Sequence, residues 1–267
     1  MVAPAPPIVP EVAVLRAYGA SDKGRVRATN EDYFAINERL QLVVVADGMG
    51  GHNAGEVAAR VAVDTIVGFV ENELSPSFDT WPFGFDPSLS DSANVLKTAV
   101  QLANARVLER AGSAEEYAGM GTTVVAAIVD NNRLSVAHVG DSRLYIGQSG
   151  KLQPLTKDDS WMATILASNP ETDPAVLQHH PMRHALTNVV GSRSVADVHI
   201  VEQPLSGGEM LRLTTDGVHG VLDVRALERI VERAAVEQVA AEIVSAALAR
   251  GSRDNCTAVA ALYSAER

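Results

Sequence analysis

The sequence predicts an α+β domain built in layers. Three observations predict it: strand-like and helix-like segments come in groups rather than in strict alternation, two long amphipathic segments follow the first group of strands, and the last strand follows an Ala-rich helical stretch. The chain has 267 residues, 46% hydrophobic and 21% charged, enough for one large domain with a sizeable core.

Taken in order, residues 16–22 and 32–37 have strand character, and QLVVVAD ends a third strand at Asp47. Glycines follow at once. Residues 53–74 then place apolar side chains three and four apart, an amphipathic helix that starts directly after the glycine-rich turn. Residues 75–87, rich in Pro, Phe, Ser and Asp without period, form a predicted loop, and residues 90–111 return to helical spacing. The stretch GTTVVAAIVDNNRLSVAHVGDSRLYIGQSGKLQPLT holds three β-rich runs punctuated by Asp130-Asn131-Asn132 and Gln148-Ser149-Gly150, which predicts one antiparallel meander. Residues 157–184 are of mixed polarity and predict an irregular, partly helical excursion. GEMLRLTTDG predicts a strand entering a turn, residues 224–250 one long helix, and DNCTAVAALY the final strand.

Residues 1–15 predict a flexible, Pro-rich arm, and residues 16–267 a single domain. The opening MVAPAPPIVP lacks the basic start and continuous apolar centre of a secretory signal. Apolar runs such as 42–46 and 124–129 fall far short of the roughly 20 residues of a membrane helix. With 22 Lys+Arg against 33 Asp+Glu, the formal charge of −11 repels polyanions, so nucleic acid is not an expected partner, and the short apolar runs make a membrane equally unexpected. One cysteine, Cys256, can build neither an internal disulfide nor a thiolate metal site, which fits the cytoplasm.

Four aspartates stand where a β-rich run meets a turn: Asp47 in VVVADGMGG, Asp141 in AHVGDSR, Asp216 in LRLTTDG and Asp254 in GSRDNC. Singly, an Asp before a Gly is first of all a turn former. Together, at one rim of a sheet, such carboxylates would repel one another unless cations lay among them. Hard oxygen donors suit magnesium or manganese, whereas zinc recruits His or Cys. A pair of such ions can activate a water and stabilise both oxygens of a phosphoryl displacement. The chemistry also needs a cationic fork for the phosphoryl oxygens. Arg27 in GRVRATNED is the best candidate, with Arg25 on the same predicted strand face; solvent-facing surface positions for both are the alternative. The glycines after Asp47 lack the Lys-Ser/Thr sequel of a nucleotide-binding loop.

The ordered set RATNED, DGMGGH, GMGTT, GDSR, TTDG and SRDN resembles the type-2C, metal-dependent protein phosphatases, bacterial members in particular, over nearly the whole chain. The resemblance implies a four-layer αββα sandwich, two mostly antiparallel sheets flanked by helices, with the metals in a cleft at one end. It implies that Asp47 bridges two Mn2+ or Mg2+ ions, that the Gly48 carbonyl serves one of them, and that Asp216 and Asp254 complete the set. It further implies that Glu31 and Asp32 hold metal-bound waters, that Arg27 binds phosphate, that Asp141 serves a third, weaker ion, and that Asn255 supports the site from behind.

Departures from the family pattern are equally specific. Met49 stands where several eukaryotic relatives carry a His proposed as general acid, so the leaving group must draw its proton from elsewhere. His52 lies nearby, at a helix start. Asp159 in LTKDDSW stands where many relatives have His, and His184 where some place a small polar residue near the third metal. Residues 158–182 correspond to the variable flap; Trp161 there reads as a flap anchor and His179-His180 as solvated loop histidines. The expected activity is hydrolysis of phosphoserine and phosphothreonine by direct attack of a metal-bridging water, by a monomer, on phosphoproteins such as a Ser/Thr kinase and its targets. A hydrolase of small phosphate esters and a silent phosphoprotein-binding module are the alternatives.

Overall fold

The computed structural model describes residues 14–51, 53–73, 81–148 and 150–265. Most of the predicted arm, and His52, lie outside them.

Two antiparallel sheets form the centre. One has the order β1-β11-β10-β7-β8, from β1 (Val14–Asp22), β11 (Cys256–Ser264), β10 (Met210–Thr214), β7 (Arg143–Gln148) and β8 (Lys151–Pro154). The other has the order β2-β3-β5-β6-β9, from β2 (Asp32–Asn37), β3 (Leu42–Met49), β5 (Val124–Asp130), β6 (Arg133–Val139) and β9 (His199–Pro204), with the short β4 (Gly121–Thr122) on the end of β3. The two-residue period of a strand explains the layering. Val43 and Val45, Val125 and Ala127, Leu211 and Leu213, and Val259 and Ala261 turn inward and fill the space between the sheets. Their neighbours Val44, Ala46, Ala126 and Ile128 point outward, against α1 (Ala54–Glu73) and α2 (Asp91–Ala111). Tyr145, Ala258 and Ala260 face α6 (Val224–Val231) and α7 (Val236–Ala249) across the other sheet. The result is the four-layer αββα sandwich.

The predicted meander is corrected. β5 and β6 form one hairpin, closed by Asn131 and Asn132 at φ 47° and 59°, and β7 and β8 form another. The chain leaves one sheet and enters the other between them, at Gly140-Asp141-Ser142. Gly140 makes the bend at φ 95°, and a Cβ there would lie 2.7 Å from the Thr123 side chain. The single C-terminal helix is also corrected, into α6 and α7. Apolar positions 227 and 231 set one helical phase, while 239, 240, 243, 244 and 247 set another roughly half a turn away at 100° per residue. A continuous helix would turn Gln238 and Glu242 toward the sheet. β9 has no expected counterpart: its HIVEQP is half-buried from His199 to Gln203, with Pro204 exposed, and shows no alternation.

In the excursion, Ser160 caps α3 (Trp161–Ser168) by accepting from the Ala163 N–H, and Asp173 caps α4 (Pro174–Leu177). Trp161 stacks on His180 within the flap, ring centroids 4.2 Å apart, so it anchors the segment to itself.

Candidate metal centre

The acidic residues meet at one end of the sandwich because three connections converge there. Asp32 and Asp47 are direct cross-strand partners on β2 and β3. Asp216 opens α5 (Asp216–His219) just after β10, Asp141 occupies the crossover after β6, and Asp254 precedes β11. A cleft of about 320 Å³ is lined by Arg27, Glu31, Asp47, Gly48, Asp141 and Asp216, with Asp254, Asn255, Met49 and His184 also on its wall. Of the predicted site residues, only Asp32 does not line it. Asp32 lies behind, 6% exposed, accepting from the Thr215 hydroxyl at 2.9 Å.

Gly48 is held by its surroundings. Its N–H donates to the Glu31 carbonyl at 3.0 Å, and a Cβ would lie 2.0 Å from the Gly55 carbonyl at the start of α1. No other residue lets β3, α1 and the Glu31 segment approach so closely.

Arg25 and Arg27 do not share a strand face. β1 ends at Asp22, and Gly24, at φ 76°, turns the chain into an exposed loop. From that loop Arg27 reaches Asp254, Nη2 to Oδ2 at 2.6 Å. This bond, outweighing partial burial, raises the guanidinium pKa. Asn255 fixes the loop: its Nδ2 donates to the Lys23 and Thr29 carbonyls at 2.9 Å, and its Oδ1 accepts from the Glu31 N–H at 2.8 Å.

The electrostatics show what the cleft lacks. Burial, then the charge of Asp32, pushes the Asp47 carboxyl well above the ordinary carboxylate range. Burial lifts Asp32 to about 7 against the opposing bonds from Thr257 and Thr215, and lifts Asp141 to about 7 with help from Asp216. Glu31 Oε1, Asp32 Oδ1 and Asp216 Oδ1 are buried without a hydrogen-bond donor among the described residues. Buried carboxylate oxygens without donors are costly unless cations supply the missing charge.

As they stand, no three acidic, His or Cys side chains among the described residues already converge as a metal-holding group; Asp254 turns to Arg27 instead. The donorless oxygens and the all-oxygen donor set weigh more, because side-chain rotation is cheap beside buried repulsion, and they fit hard divalent cations. Asp47, the Gly48 carbonyl, Asp216 and Asp254 are the residues that would hold them.

Several supporting residues escaped the sequence reasoning. The Thr122 hydroxyl donates to the Asp47 carbonyl at 2.9 Å, and Thr123 Oγ1 accepts from the Asp47 N–H at 3.1 Å. Their signal was present in GMGTT, but as hydroxyls they announce no particular role. Thr215 stood likewise in TTDG, again as a hydroxyl that announces no role. Asp159 bonds His199, Asn188 and Gly140 and lies behind the cleft wall.

A family model described as Protein phosphatase 2C matches residues 22–253. The serine/threonine protein phosphatase PstP of Mycobacterium tuberculosis is 31% identical over 248 residues, 93% of this chain but 45% of its own length, so the chain spans about half of that relative. The serine/threonine phosphatase stp of Listeria monocytogenes is 29% identical over 245 residues, 89% of this chain and 91% of its own. A crystal structure of the M. tuberculosis phosphatase superposes with a TM-score of 0.80 at 30% identity, covering 95% of this chain and 100% of the other. A PstP catalytic domain in complex with two manganese ions superposes with a TM-score of 0.78 at 27% identity over 95% of this chain and 100% of the other.

Proposed function

Because the chain belongs to the protein phosphatase 2C family, we propose that it hydrolyses phosphoserine and phosphothreonine in proteins by direct attack of water, without a phosphoenzyme. One observation carries the reading: a buried set of carboxylates with donorless oxygens opens on a cleft whose mouth holds a charged arginine fork.

Manganese or magnesium, when bound, lowers the pKa of water and neutralises the charge gathering on the phosphoryl oxygens. Asp47, Gly48, Asp216 and Asp254 would hold two ions and Asp141 a third, with Glu31 on the cleft wall and Asp32 behind it serving the ions through water. Arg27 is half exposed, so it can exchange Asp254 for the phosphoryl oxygens and grip two of them at once. Asn255 keeps the Arg27 loop and the Glu31 backbone in register. Met49, 43% exposed on the rim, has no proton to give the leaving oxygen. Cys256, buried at the start of β11, has no loop in which to act as a nucleophile.

The substrates on this reading are phosphoproteins, including a Ser/Thr kinase and its targets, met in the cytoplasm by a monomer. Residues 16–267 act as one catalytic domain, with 158–182 as its flap. No helix among the described residues is long and apolar enough to cross a membrane.

The test is phosphate release from a phosphothreonine peptide with manganese or chelator, by the native chain and by Asp216→Ala. Manganese-dependent release that the substitution abolishes is expected. Equal release in every sample overturns the metal mechanism. Saturation only by small phosphate esters moves the assignment to metabolite hydrolysis, and manganese binding without any release moves it to a phosphoprotein-binding module.

A further inference from the structure

Asp159 makes more bonds than a loop residue needs, and they tie four segments together. Its Oδ2 accepts from the Gly140 N–H at 3.0 Å, while its own N–H donates to the Gly140 carbonyl at 2.9 Å, so both backbone groups of Gly140 close on one residue. The same Oδ2 accepts from Asn188 Nδ2 at 2.7 Å, and the Asp159 carbonyl accepts from the Thr187 N–H at 2.8 Å. Oδ1 meets His199 Nε2 on β9 at 2.8 Å. Gly140 is the bend by which the chain changes sheets, and Asp141 is the next residue. On its other side the crossover is held by Thr123 Oγ1 and Ser142 Oγ, 2.7 Å apart.

A three-residue crossover with a positive-φ glycine has little stiffness of its own. What aims the Asp141 side chain into the cleft is therefore the clasp around Gly140, which runs from Asp159 at the start of the flap to Thr187 and Asn188 beyond its end and to His199 on β9. We infer that Asp159 is a positioning residue for the Asp141 cation site: it fixes the Gly140 bend so that Asp141 faces Asp216 across the cleft, and it couples that site to the base of the flap. The inference rests on the phosphatase reading for Asp141, but its effect is read in ion binding rather than in turnover. A group that orients a metal-holding residue typically changes affinity by about 10- to 100-fold.

The experiment is calorimetric titration of manganese into the native chain, Asp159→Ala, Asp159→Asn, Asp141→Ala and the Asp141→Ala/Asp159→Ala pair, each checked for its fold by circular dichroism. Asp159→Ala should weaken the weakest manganese site at least about 10-fold and leave the two tighter sites unchanged. Asp159→Asn, which keeps an oxygen for the Gly140 N–H, should restore most of the affinity. Asp159→Ala should add nothing once Asp141 is gone, since both changes act on one site. If Asp159→Ala does not fold, Asp159→Ser replaces it with the same expectation. Equal weakening of all sites, an unchanged weak site, or only two sites in the native chain overturns the inference. Failure of the native chain to bind manganese at all overturns the phosphatase reading with it.

Discussion

At the scale of single residues, the four aspartates that line the cleft were legible because each ends a β-rich run at a turn, which brings it to a sheet rim. The residues behind them were not. Thr123 and Thr215 orient Asp47 and Asp32 through ordinary hydroxyls, which any strand may carry for unrelated reasons. Arg27 was legible as the cation beside the acidic set but misplaced on a strand, because RVR imitates strand alternation and the turn at Gly24 depends on a distant contact with the Asp254 backbone. Its role gives a direct expectation: Arg27→Ala should lower kcat/KM for phosphopeptide about 100-fold, and Arg27→Lys should recover only part, since a point charge replaces a fork. With the side chain half exposed, thermal stability should barely move; an unchanged kcat/KM would remove Arg27 from phosphate binding. His138 gives a second expectation. Burial, then the neighbouring His199, holds it at about 4 against an ordinary 6.5. Between those values the unfolded chain binds a proton the folded chain refuses, so His138 costs stability as pH falls from 6.5 toward 4 and costs nothing differential above 6.5. The raised carboxyls of Asp32 and Asp141 act in the opposite direction over an overlapping range, so the whole-chain curve mixes the signs. The difference between native and His138→Gln isolates it: denaturant unfolding at pH 7 and pH 4.5 should show the native chain losing up to about 3 kcal/mol relative to the variant. A constant difference would refute it.

At the scale of elements, strand alternation was read correctly and sheet membership was not. A β-rich run buried on both faces has the same composition whichever sheet it joins, so β6 and β7 looked like neighbours; only the bend at Gly140 separates them. The break between α6 and α7 contains neither Gly nor Pro and is visible only as a change of apolar phase. β10 holds a departure from the expected pattern. Arg212 lies opposite Tyr145 and Ala260 on the face covered by α6 and α7, 1% exposed. Its Nη2 reaches only the Met210 sulfur, at 3.0 Å, and its Nε and Nη1 have no partner among the described residues. Burial depresses its pKa to about 10. A buried charge without a counter-ion is costly, and an apolar side chain of similar length should be better there. Arg212→Met is expected to stabilise the fold by about 1–4 kcal/mol in denaturant unfolding and to leave phosphopeptide turnover unchanged. A destabilised Arg212→Met would mean that the guanidinium is satisfied after all.

At the scale of the whole molecule, the order of motifs along the chain carried the fold, because a sandwich that must bring Asp47, Asp141, Asp216 and Asp254 to one end allows few connections between them. The same gathering has a thermodynamic consequence. Buried carboxylates crowd one end of the sandwich, and the pKa of Asp47 is driven up by burial and by four neighbouring aspartates. In chelator at pH 8, where these groups are pressed to ionise, they should oppose folding. Asp47→Asn keeps the shape and removes the central charge, so it is expected to unfold at higher denaturant than the native chain under those conditions, by about 0.5–2 kcal/mol. Saturating manganese should reverse the order, because an ion bound only by the folded state stabilises it by RT ln(1 + [L]/Kd), and Asn at position 47 forfeits most of that affinity. The same substitution should abolish phosphate release. Such a reversal would locate the stability deficit and the catalytic power in the same carboxylates, whereas a native chain more stable than Asp47→Asn in chelator would show that the cluster is already neutralised by protons or by Arg27.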